Sequence, residues 1–460
     1  MKIVVCIRQS VSGEINPFDA CALEAALQIP LAQVTVLSMG PVKSADFLKG
    51  LTRLGAKTAV LLSDINFAGA DTLATSYTLS LAIKKLSPDL VFCGRQTVDG
   101  DTGQVGPELA VLTGYTLIAN AMSIETNEYG ITVKNRDGKT VTSNFPAIVT
   151  VERINNLRLP SIRSKTGELI IWNGEDINAD LSRCGLKGSP TKVLKTFENN
   201  KDRRKCTFIN PNELGNVIEK SLNKEKVSLS KQNLNKKLKN VWIIGNSPKE
   251  MAETVSDDIK TVKLDTPEKL AKLIETEKPN VVLWGSDTLS KVIAPQVAAI
   301  LKLGLCADCT TLETDGEDLF MYRPAFSGNI IAKICSTTKP VMATVRTAEP
   351  ENSDIIIGVG WGAKEHLDKI NLWSKKLSAD IAASRLMVDR DYYPYEKQVG
   401  LTGKSVSPKI YIAVGISGAV HHIAGIRASD TIIAVNSNKD AEIFNYADFG
   451  IVANFEDVDL

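Results

Sequence analysis

The sequence predicts an α/β protein built mainly on parallel sheets. Short runs rich in β-branched residues alternate with segments whose apolar residues recur every three or four positions, which is typical of strands joined by covering helices. At 460 residues, the chain has room for about two to four domains. The elements predicted in the first 100 residues are strands at 1–7, 34–38, 59–62 and 90–93 and helices at 20–28, 44–54 and 70–86.

After these elements the sequence leaves the alternation of strands and helices. Residues 131–140 and 143–151 are predicted to form an antiparallel addition around Asp137 and Gly138, since Asp-Gly is a strong turn signal. A third region with α/β character begins near Ser353. Its predicted elements are strands at 354–358, 409–414 and 431–435 and an amphipathic helix at 364–377.

Two sequence blocks return in the same order. PDLVFCG at 88–94 returns as PNVVLWG at 279–285, and FPAIVTV at 145–151 returns as KPVMATV at 339–345. The separations are 191 and 194 residues. Proline before an apolar strand is common in α/β proteins, so coincidence is the alternative, but the matched order favours two copies of one domain.

The segment between the two copies has a solvated composition. Residues 195–239 hold 12 basic and 5 acidic residues with many asparagines, which favours an arm and tether over a phosphate-binding segment. A short helix is predicted at 212–222, a linker at 231–239 and a hinge at 348–354. The predicted domains are 1–195, the arm and basic linker 196–240, a shortened second copy 241–350, and 351–460.

Composition excludes several classes of function. The 54 Lys and Arg against 53 Asp and Glu give a net charge of +1, which argues against a nucleic-acid binder. The longest apolar runs have strand length, and no signal peptide precedes the first strand, so we expect no membrane span and a cytoplasmic location. Eight cysteines, of which only Cys306 and Cys309 are close, and three histidines favour reduced thiols and no metal site.

Glycines follow the strands of the third region. A strand ending at Gly415 and a helix starting near Ala419 would place backbone N–H groups beside Ser417, which is a geometry that binds anions. The stretch 398–404 lacks the upstream glycine of a P-loop. The pattern therefore predicts a site for a phosphate or a reduced ring, with tight turns alone as the alternative.

Several segments of the last hundred residues are specific enough to compare with a family. They are SRLMVD at 384–389, QVGLTGK at 398–404, YIAVGISGAVHH at 411–422 and AVN at 434–436. These segments closely resemble the FAD domain of the electron-transfer flavoprotein α subunit. Three earlier segments, ADCT at 307–310, FSGN at 326–329 and ATVR at 343–346, are similar to that subunit's first domain.

The N-terminal region contains the segments NPFD at 16–19, CGRQTVDGDTGQVGP at 93–107 and GSPT at 188–191. These segments are similar to the β subunit of the same family. The resemblance implies a β–α fusion covering nearly the whole chain. It also implies two related Rossmann-like parallel-sheet nucleotide-binding domains followed by a C-terminal α/β FAD-binding domain. The segment 159–163 resembles the family's partner-docking segment.

The resemblance implies roles at matching positions of the FAD domain. His422 would face the flavin pyrimidine edge, Thr402 would approach N5 and Arg385 would lie over the ring, although a core histidine at a helix start remains the alternative for His422. The implied FAD contacts are Ser384, Arg385, Gln398, Val399, Gly400, Thr402, Gly403, Ser417, Gly418, Ala419, His422, Asn436 and Asn454.

A second nucleotide is implied in the N-terminal domain. Simple carriers of the family hold AMP there and electron-bifurcating members hold a second FAD; the DGDTGQVGP pattern favours FAD, while a polar loop without a ligand is the alternative. The implied contacts are Cys6, Asn16, Asp99, Gly100, Asp101, Thr102, Gln104 and Val105.

The resulting hypothesis is an electron-transfer flavoprotein. It would carry electrons through FAD between a dehydrogenase of the acyl-CoA dehydrogenase type, or NADH, and a redox partner such as ferredoxin. Trp361, Leu401 and Asn454 depart from the family pattern. The alternative is therefore a flavin-poor nucleotide-binding or scaffold protein, and whether the chain is a bifurcating enzyme stays open.

Overall fold

The chain divides into two compact units. The computed structural model describes residues 1–11, 13–152, 154–198, 204–223, 237–245, 249–326, 330–346, 353–400, 403–404 and 406–460. The first unit comprises Met1–Thr196, Asn233–Phe326 and Ala332–Arg346, and the second comprises Phe197–Gln232, Ser327–Ile331 and Thr347–Leu460.

The described residues form strands and helices in alternation over most of the chain. The strands are β1 Lys2–Cys6, β2 Gln33–Met39, β3 Thr58–Leu62, β4 Leu90–Gly94, β5 Thr116–Thr126, β6 Gly130–Asn135, β7 Thr140–Asn144, β8 Ala147–Val151, β9 Glu168–Trp172, β10 Thr191–Glu198, β11 Thr207–Phe208, β12 Val241–Ile244, β13 Ile259–Val262, β14 Val281–Trp284, β15 Leu305–Cys309, β16 Thr311–Thr314, β17 Leu319–Ala325, β18 Ile330–Ser336, β19 Val341–Val345, β20 Ile355–Val359, β21 Asp380–Ala383, β22 Ile410–Val414, β23 Thr431–Asn436 and β24 Phe449–Val452. The helices are α1 Pro17–Gln28, α2 Ala45–Leu51, α3 Thr72–Leu86, α4 Val105–Thr113, α5 Gly185–Gly188, α6 Leu214–Leu222, α7 Lys249–Val255, α8 Pro267–Glu277, α9 Thr288–Leu301, α10 Leu367–Leu377, α11 Arg385–Asp389 and α12 Val420–Ile426.

The first unit contains a nine-stranded sheet in the order β7-β6-β5-β8-β4-β1-β2-β3-β9. All neighbours pair in parallel except β5 with β6 and β6 with β7. The strand order reverses between β1 and β4, and open parallel sheets bind ligands at the carboxyl ends of the strands at such a point. The predicted α/β class with parallel sheets is therefore confirmed.

The single antiparallel strand predicted over 143–151 is wrong. The antiparallel strand β7 ends at Asn144, and β8 starts at Ala147 and pairs in parallel with β4 and β5. Pro146 separates them, because proline has no N–H to donate to a sheet ladder. Strand β8 is buried along its whole length, which is typical of a parallel strand covered on both faces.

The first unit also contains a five-stranded parallel sheet in the order β13-β12-β14-β19-β15. The two copies share an unusual backbone detail. Asn120 and Asp308 both have left-handed backbones, with φ of 60° and 52°. The N–H of Asn120 donates to Thr150 Oγ1, and that of Asp308 donates to Thr344 Oγ1, each at 2.8 Å. This correspondence supports the repeat predicted from the sequence.

The second unit contains a parallel six-stranded sheet in the order β11-β24-β23-β22-β20-β21. Part of the predicted arm belongs to it, since β11 pairs with β24 and helix α6 buries Leu214 and Ile218 in its apolar core. Arg204 forms an ion pair with Asp448. Most of the predicted linker, 231–236, and of the predicted hinge, 348–352, lies outside the described residues.

Within the described part of the chain, no helix is both long and apolar enough to cross a bilayer. A four-stranded sheet in the order β10-β18-β17-β16 completes the architecture.

Candidate functional site

The carboxyl ends of the six parallel strands meet at one edge of the second unit's sheet. The loops that follow β20, β22, β23 and β24 enclose a cleft of about 180 Å³. Polar side chains and glycine backbone dominate its lining, so the cleft suits a sugar or a phosphate more than an apolar ligand. The lining residues are Gly362, His366, Gly415, Val435, Asn436, Ser437, Ala453, Asn454, Phe455 and Glu456.

The loop 398–404 packs directly against helix α12. Gly400 has φ of +139°, and a Cβ at Gly425 would lie 2.4 Å from the Gly400 nitrogen, so only glycine at position 425 allows this approach. The N–H of Val399 donates to Ala383 O, and the N–H of Gly400 donates to Lys404 O. The predicted residues Gln398, Val399, Gly400 and Gly403 are thereby held beside α12, whereas Thr402 lies outside the described residues.

His422 is buried in the first turn of α12. Its Nε2 lies 3.0 Å from the Tyr411 hydroxyl, and its Nδ1 is buried without a hydrogen-bond partner among the described residues. Burial lowers the pKa of His422 to about 4, against a smaller raising effect from the nearby Val399 backbone, with which Nδ1 makes no hydrogen bond of normal geometry. The imidazole is therefore neutral at pH 7 and offers one ring nitrogen to a ligand.

Ser417, Gly418 and Ala419 form the connection from β22 to α12. Gly418 has φ of +93°, and a Cβ there would lie 2.1 Å from the Ile443 nitrogen, so the backbone passes too closely for any side chain. Asn436 at the end of β23 donates from Nδ2 to Ile416 O at 2.9 Å, which ties the two strand exits together. These predicted residues lie at the same edge, but α12 has only seven residues, which limits its dipole.

Four other predicted or divergent residues lie along this edge. Ser384 and Arg385 follow β21, where Arg385 pairs with Asp389 at 3.1 Å. Trp361, after β20, is 38% exposed and packs edge-on against Tyr392. Asn454, after β24, lines the cleft.

The residues at this edge fit a flavin nucleotide. A buried imidazole nitrogen that has no described partner needs a hydrogen-bonding ligand. The close-packed glycine backbone at 400 and 418 and the polar cleft provide the geometry and donors for a ring and a phosphate. Tyr411, which orients His422, had no assigned role in the sequence analysis; the signal was its place in a fully buried strand, where a hydroxyl requires a partner.

The second predicted site lies in the first unit, where β1 and β4 end. Asn16 donates from Nδ2 to Gln96 O at 2.9 Å and accepts the Val98 N–H at 3.2 Å. Asp99 pairs with Arg8 at 2.7 Å. Burial opposes ionisation of Asp99, but the Arg8 charge and hydrogen bonds outweigh it and hold its pKa below the usual range. The side chains of Asn16 and Asp99 therefore stabilise the loop that follows β4.

The other predicted residues of this loop are also engaged within the protein. Burial, with a contribution from the Asp308 charge, raises the pKa of Asp101 to about 6, and Gln96 donates to its carboxylate. Gln104 accepts from Thr72 Oγ1 at 2.8 Å and donates to Leu305 O at 3.1 Å. Gly100 and Thr102 lie in the loop, Val105 begins α4, and Cys6 ends β1 beside Cys93. The loop backbone is therefore the part left to face a nucleotide.

Among the described residues, no group of three or more His, Cys, Asp or Glu side chains has the arrangement of a metal site.

Family models match most of the chain. An electron transfer flavoprotein domain matches residues 3–176 and 255–355, and an electron transfer flavoprotein FAD-binding domain matches residues 350–427. Together they extend over both units. The second match includes most of the predicted flavin contacts, from Ser384 to His422.

Relatives of both subunit types are similar to this chain. Protein FixA of Azorhizobium caulinodans is 39% identical over 223 residues, which cover 44% of this chain and 79% of the relative. Electron transfer flavoprotein subunit beta of Clostridium acetobutylicum is 43% identical over 41% of this chain and 78% of its own length. Subunit alpha from Thermoanaerobacterium thermosaccharolyticum is 36% identical over 40% of this chain and 70% of its own length.

A single polypeptide thus carries the domain common to both subunits together with the FAD-binding domain, and the chain belongs to the electron transfer flavoprotein family.

Proposed function

We propose that this protein carries electrons through FAD bound at the carboxyl edge of the second unit. The donor would be a flavoprotein dehydrogenase of the acyl-CoA dehydrogenase type or NADH, and the acceptor a redox partner such as ferredoxin. The observation that carries the proposal is the buried His422 imidazole, whose Nδ1 has no partner among the described residues, within the matched FAD-binding domain. Bound FAD supplies the reversible uptake and release of electrons.

The proposed contacts follow from the chain's own groups. A Tyr411 hydroxyl that donates to Nε2 leaves the imidazole proton on Nδ1, from which it is donated to the ring edge. In this proposal the backbone of Ser417, Gly418 and Ala419 faces the phosphate. Asn436 and Asn454 line the cleft, which would hold the sugar. The burial of His422 excludes water from its N–H donor. Ser384, Arg385, Gln398 and Thr402 complete the proposed contacts.

His422→Ala is expected to lower the reduction potential of bound FAD by about 60–130 mV. The reduced ring carries more negative charge, so loss of a hydrogen bond worth about 1.5–3 kcal/mol to that charge disfavours reduction. Spectroelectrochemical titration measures the shift. The neighbouring exposed histidine provides the control, since His421→Ala should leave the potential unchanged; equal potentials in wild type and H422A would contradict the assigned role.

The proposed docking segment for the dehydrogenase is 159–163. Leu159 is 89% exposed and Ile162 is 99% exposed, while the adjacent Arg158 is fixed by hydrogen bonds to Glu24 at 2.9–3.2 Å. Exposed apolar side chains on an anchored loop are suited to insertion into a partner's pocket.

Leu159→Ala is expected to lower kcat/KM for reduction by a partner dehydrogenase by about tenfold, because one anchor of 1–2 kcal/mol is removed. FAD content should not change. Ile65→Ala is the matched control, since Ile65 is 86% exposed elsewhere in the first unit. Steady-state assays with an acyl-CoA dehydrogenase test this, and equal losses in both variants would argue against the segment.

A second nucleotide is proposed in the first unit, at the β1 and β4 ends. Contacts are proposed from Cys6, Asn16, Asp99, Gly100, Asp101, Thr102, Gln104 and Val105. FAD is favoured over AMP, and with it a bifurcating role in which NADH is the donor. Anaerobic mixing with NADH tests this: rapid bleaching of the flavin absorbance supports the role, and its absence leaves the dehydrogenase as donor.

The alternative is a flavin-poor nucleotide-binding or scaffold protein located, like the carrier, in the cytoplasm. Trp361 and Asn454 favour it, because both stand at the proposed edge where the family commonly has a charged residue. A purified protein that stays colourless after addition of FAD would support this alternative.

A further inference from the structure

The loop of the proposed second nucleotide site belongs to the first copy of the repeated domain, but residues of the second copy hold it in place. The carbonyl oxygens of Asp99 and Asp101 both accept hydrogen bonds from the end of β17, which lies in the second copy of the repeated domain. Phe326 N–H donates to Asp99 O at 3.1 Å, and Arg323 Nη2 donates to Asp101 O at 3.2 Å. Asp101 has a left-handed backbone, with φ of 51°.

Arg323 forms hydrogen bonds to two separate segments of the chain. Its side chain is buried, with 6% of the residue exposed, and its Nε donates to Ala307 O at 2.7 Å while its Nη2 reaches Asp101 O. One guanidinium therefore joins strand β15 to the loop. Gln104, at the other end of the loop, donates to Leu305 O in the same strand. The two contacts tie the later part of the loop, from Asp101 to Gln104, to β15.

The direction of these bonds determines where the loop's N–H groups point. In a planar trans peptide the C=O and the following N–H point in opposite directions. Because Arg323 holds the Asp101 carbonyl, the Thr102 N–H of the same peptide is turned away from Arg323. A loop N–H that points outward in this way can donate to a phosphate.

We propose that Arg323 is a positioning residue for the second nucleotide site, acting from the other copy of the repeated domain by holding the Asp101 carbonyl. The inference rests on the proposed second nucleotide. It makes nucleotide binding depend on contact between the two copies, since the residue that orients the loop is 222 positions away in sequence.

The test uses the full chain with AMP as the probe. In equilibrium dialysis, R323Q is expected to bind AMP at the second site about tenfold to a hundredfold more weakly, since a charged donor to a buried carbonyl is lost. The FAD of the second unit should remain at one equivalent. R158Q is the matched control, because it removes another arginine that is hydrogen-bonded to a buried partner in the same unit.

Chemical rescue separates positioning from general destabilisation. In R323A, guanidinium at tens of millimolar is expected to restore AMP binding, whereas equal concentrations of sodium chloride or urea should not. Amide hydrogen exchange should be faster over 99–105 in R323Q than in wild type, with the protection of β1 and β4 unchanged. If R323A does not fold, R323K supplies the comparison, since lysine cannot bridge both carbonyls in the same fork geometry.

The outcomes distinguish this inference from the proposed function. If wild type holds a second nucleotide and R323Q, R323K and R158Q bind AMP equally well, the role of Arg323 is overturned and the second site stands. If wild type neither holds nor binds a second nucleotide, the second site is wrong and this inference with it. Selective loss of AMP binding in R323Q, together with rescue of R323A by guanidinium, supports both.

Discussion

Leu214→Ala is expected to lower the free energy of unfolding of the second unit by about 2–5 kcal/mol. Leu214 is fully buried in the apolar core formed by β20, β22, β23 and β24, although it belongs to the arm that follows the first domain in sequence. Truncation removes three heavy atoms from a packed site and leaves a cavity that the surrounding sheet cannot fill. Urea unfolding monitored by Trp373 fluorescence measures the change, since Trp373 belongs to the same core.

Leu372→Ala is the matched control for this prediction. Leu372 lies on α10 of the same unit but is 63% exposed, so its truncation should change the free energy of unfolding by less than about 0.5 kcal/mol. If L214A and L372A were equally stable, the arm would not belong to the core of the second unit.

Raising the pH from 5 to 9 is expected to destabilise the first unit, by a contribution on the order of 4 kcal/mol from Glu108. Burial raises the pKa of Glu108 from 4.5 to about 8, against smaller lowering effects from the Ser76 and Thr72 hydroxyls. The folded state therefore binds the proton more tightly than the unfolded state. The stability that this provides is fully present below pH 4.5 and is lost as the pH rises through 8.

Glu108→Gln should flatten this pH dependence and make the protein more stable than wild type at pH 8, because the amide cannot ionise, and it can accept from one of the Thr72 and Ser76 hydroxyls and donate to the other. Asp19 shifts in the same direction, with a pKa raised by burial to about 7, so some dependence should remain. E175Q, at an exposed glutamate, is the control. Urea unfolding midpoints at pH 5, 7 and 9 test this prediction. Midpoints of E108Q and wild type that change with pH in parallel would contradict it.

Much of the fold could be predicted because each buried strand leaves a local signature. The ends of apolar strands such as β22, and of helices with period-3.6 patterns such as α3, could be predicted to within one to three residues. The error at β7 and β8 arose because strand direction depends on partners elsewhere in the chain, and only Pro146 gave a local hint. The packing of Leu214 into a distant sheet had no local signature either. The four-domain division stays a prediction.

The candidate site was predictable where glycines and buried polar residues follow strands. Gly400, Gly418 and His422 lie at one sheet edge, where the carboxyl ends of parallel strands must meet. The contacts that hold the sites could not be predicted. Arg8 with Asp99 and Arg323 with Asp101 join residues 91 and 222 positions apart, and a sequence does not show which of its arginines is buried. The assigned nucleotide contacts themselves remain predictions.

The most direct test of the account is the identity and amount of nucleotide held by the protein as purified. Denaturation, followed by chromatography and mass analysis of the released small molecules, is expected to give one equivalent of FAD from the second unit and a second equivalent of FAD or AMP. Release of no flavin, together with no flavin uptake when FAD is added to the refolded chain, would contradict the claim that the carboxyl edge of the second unit binds FAD.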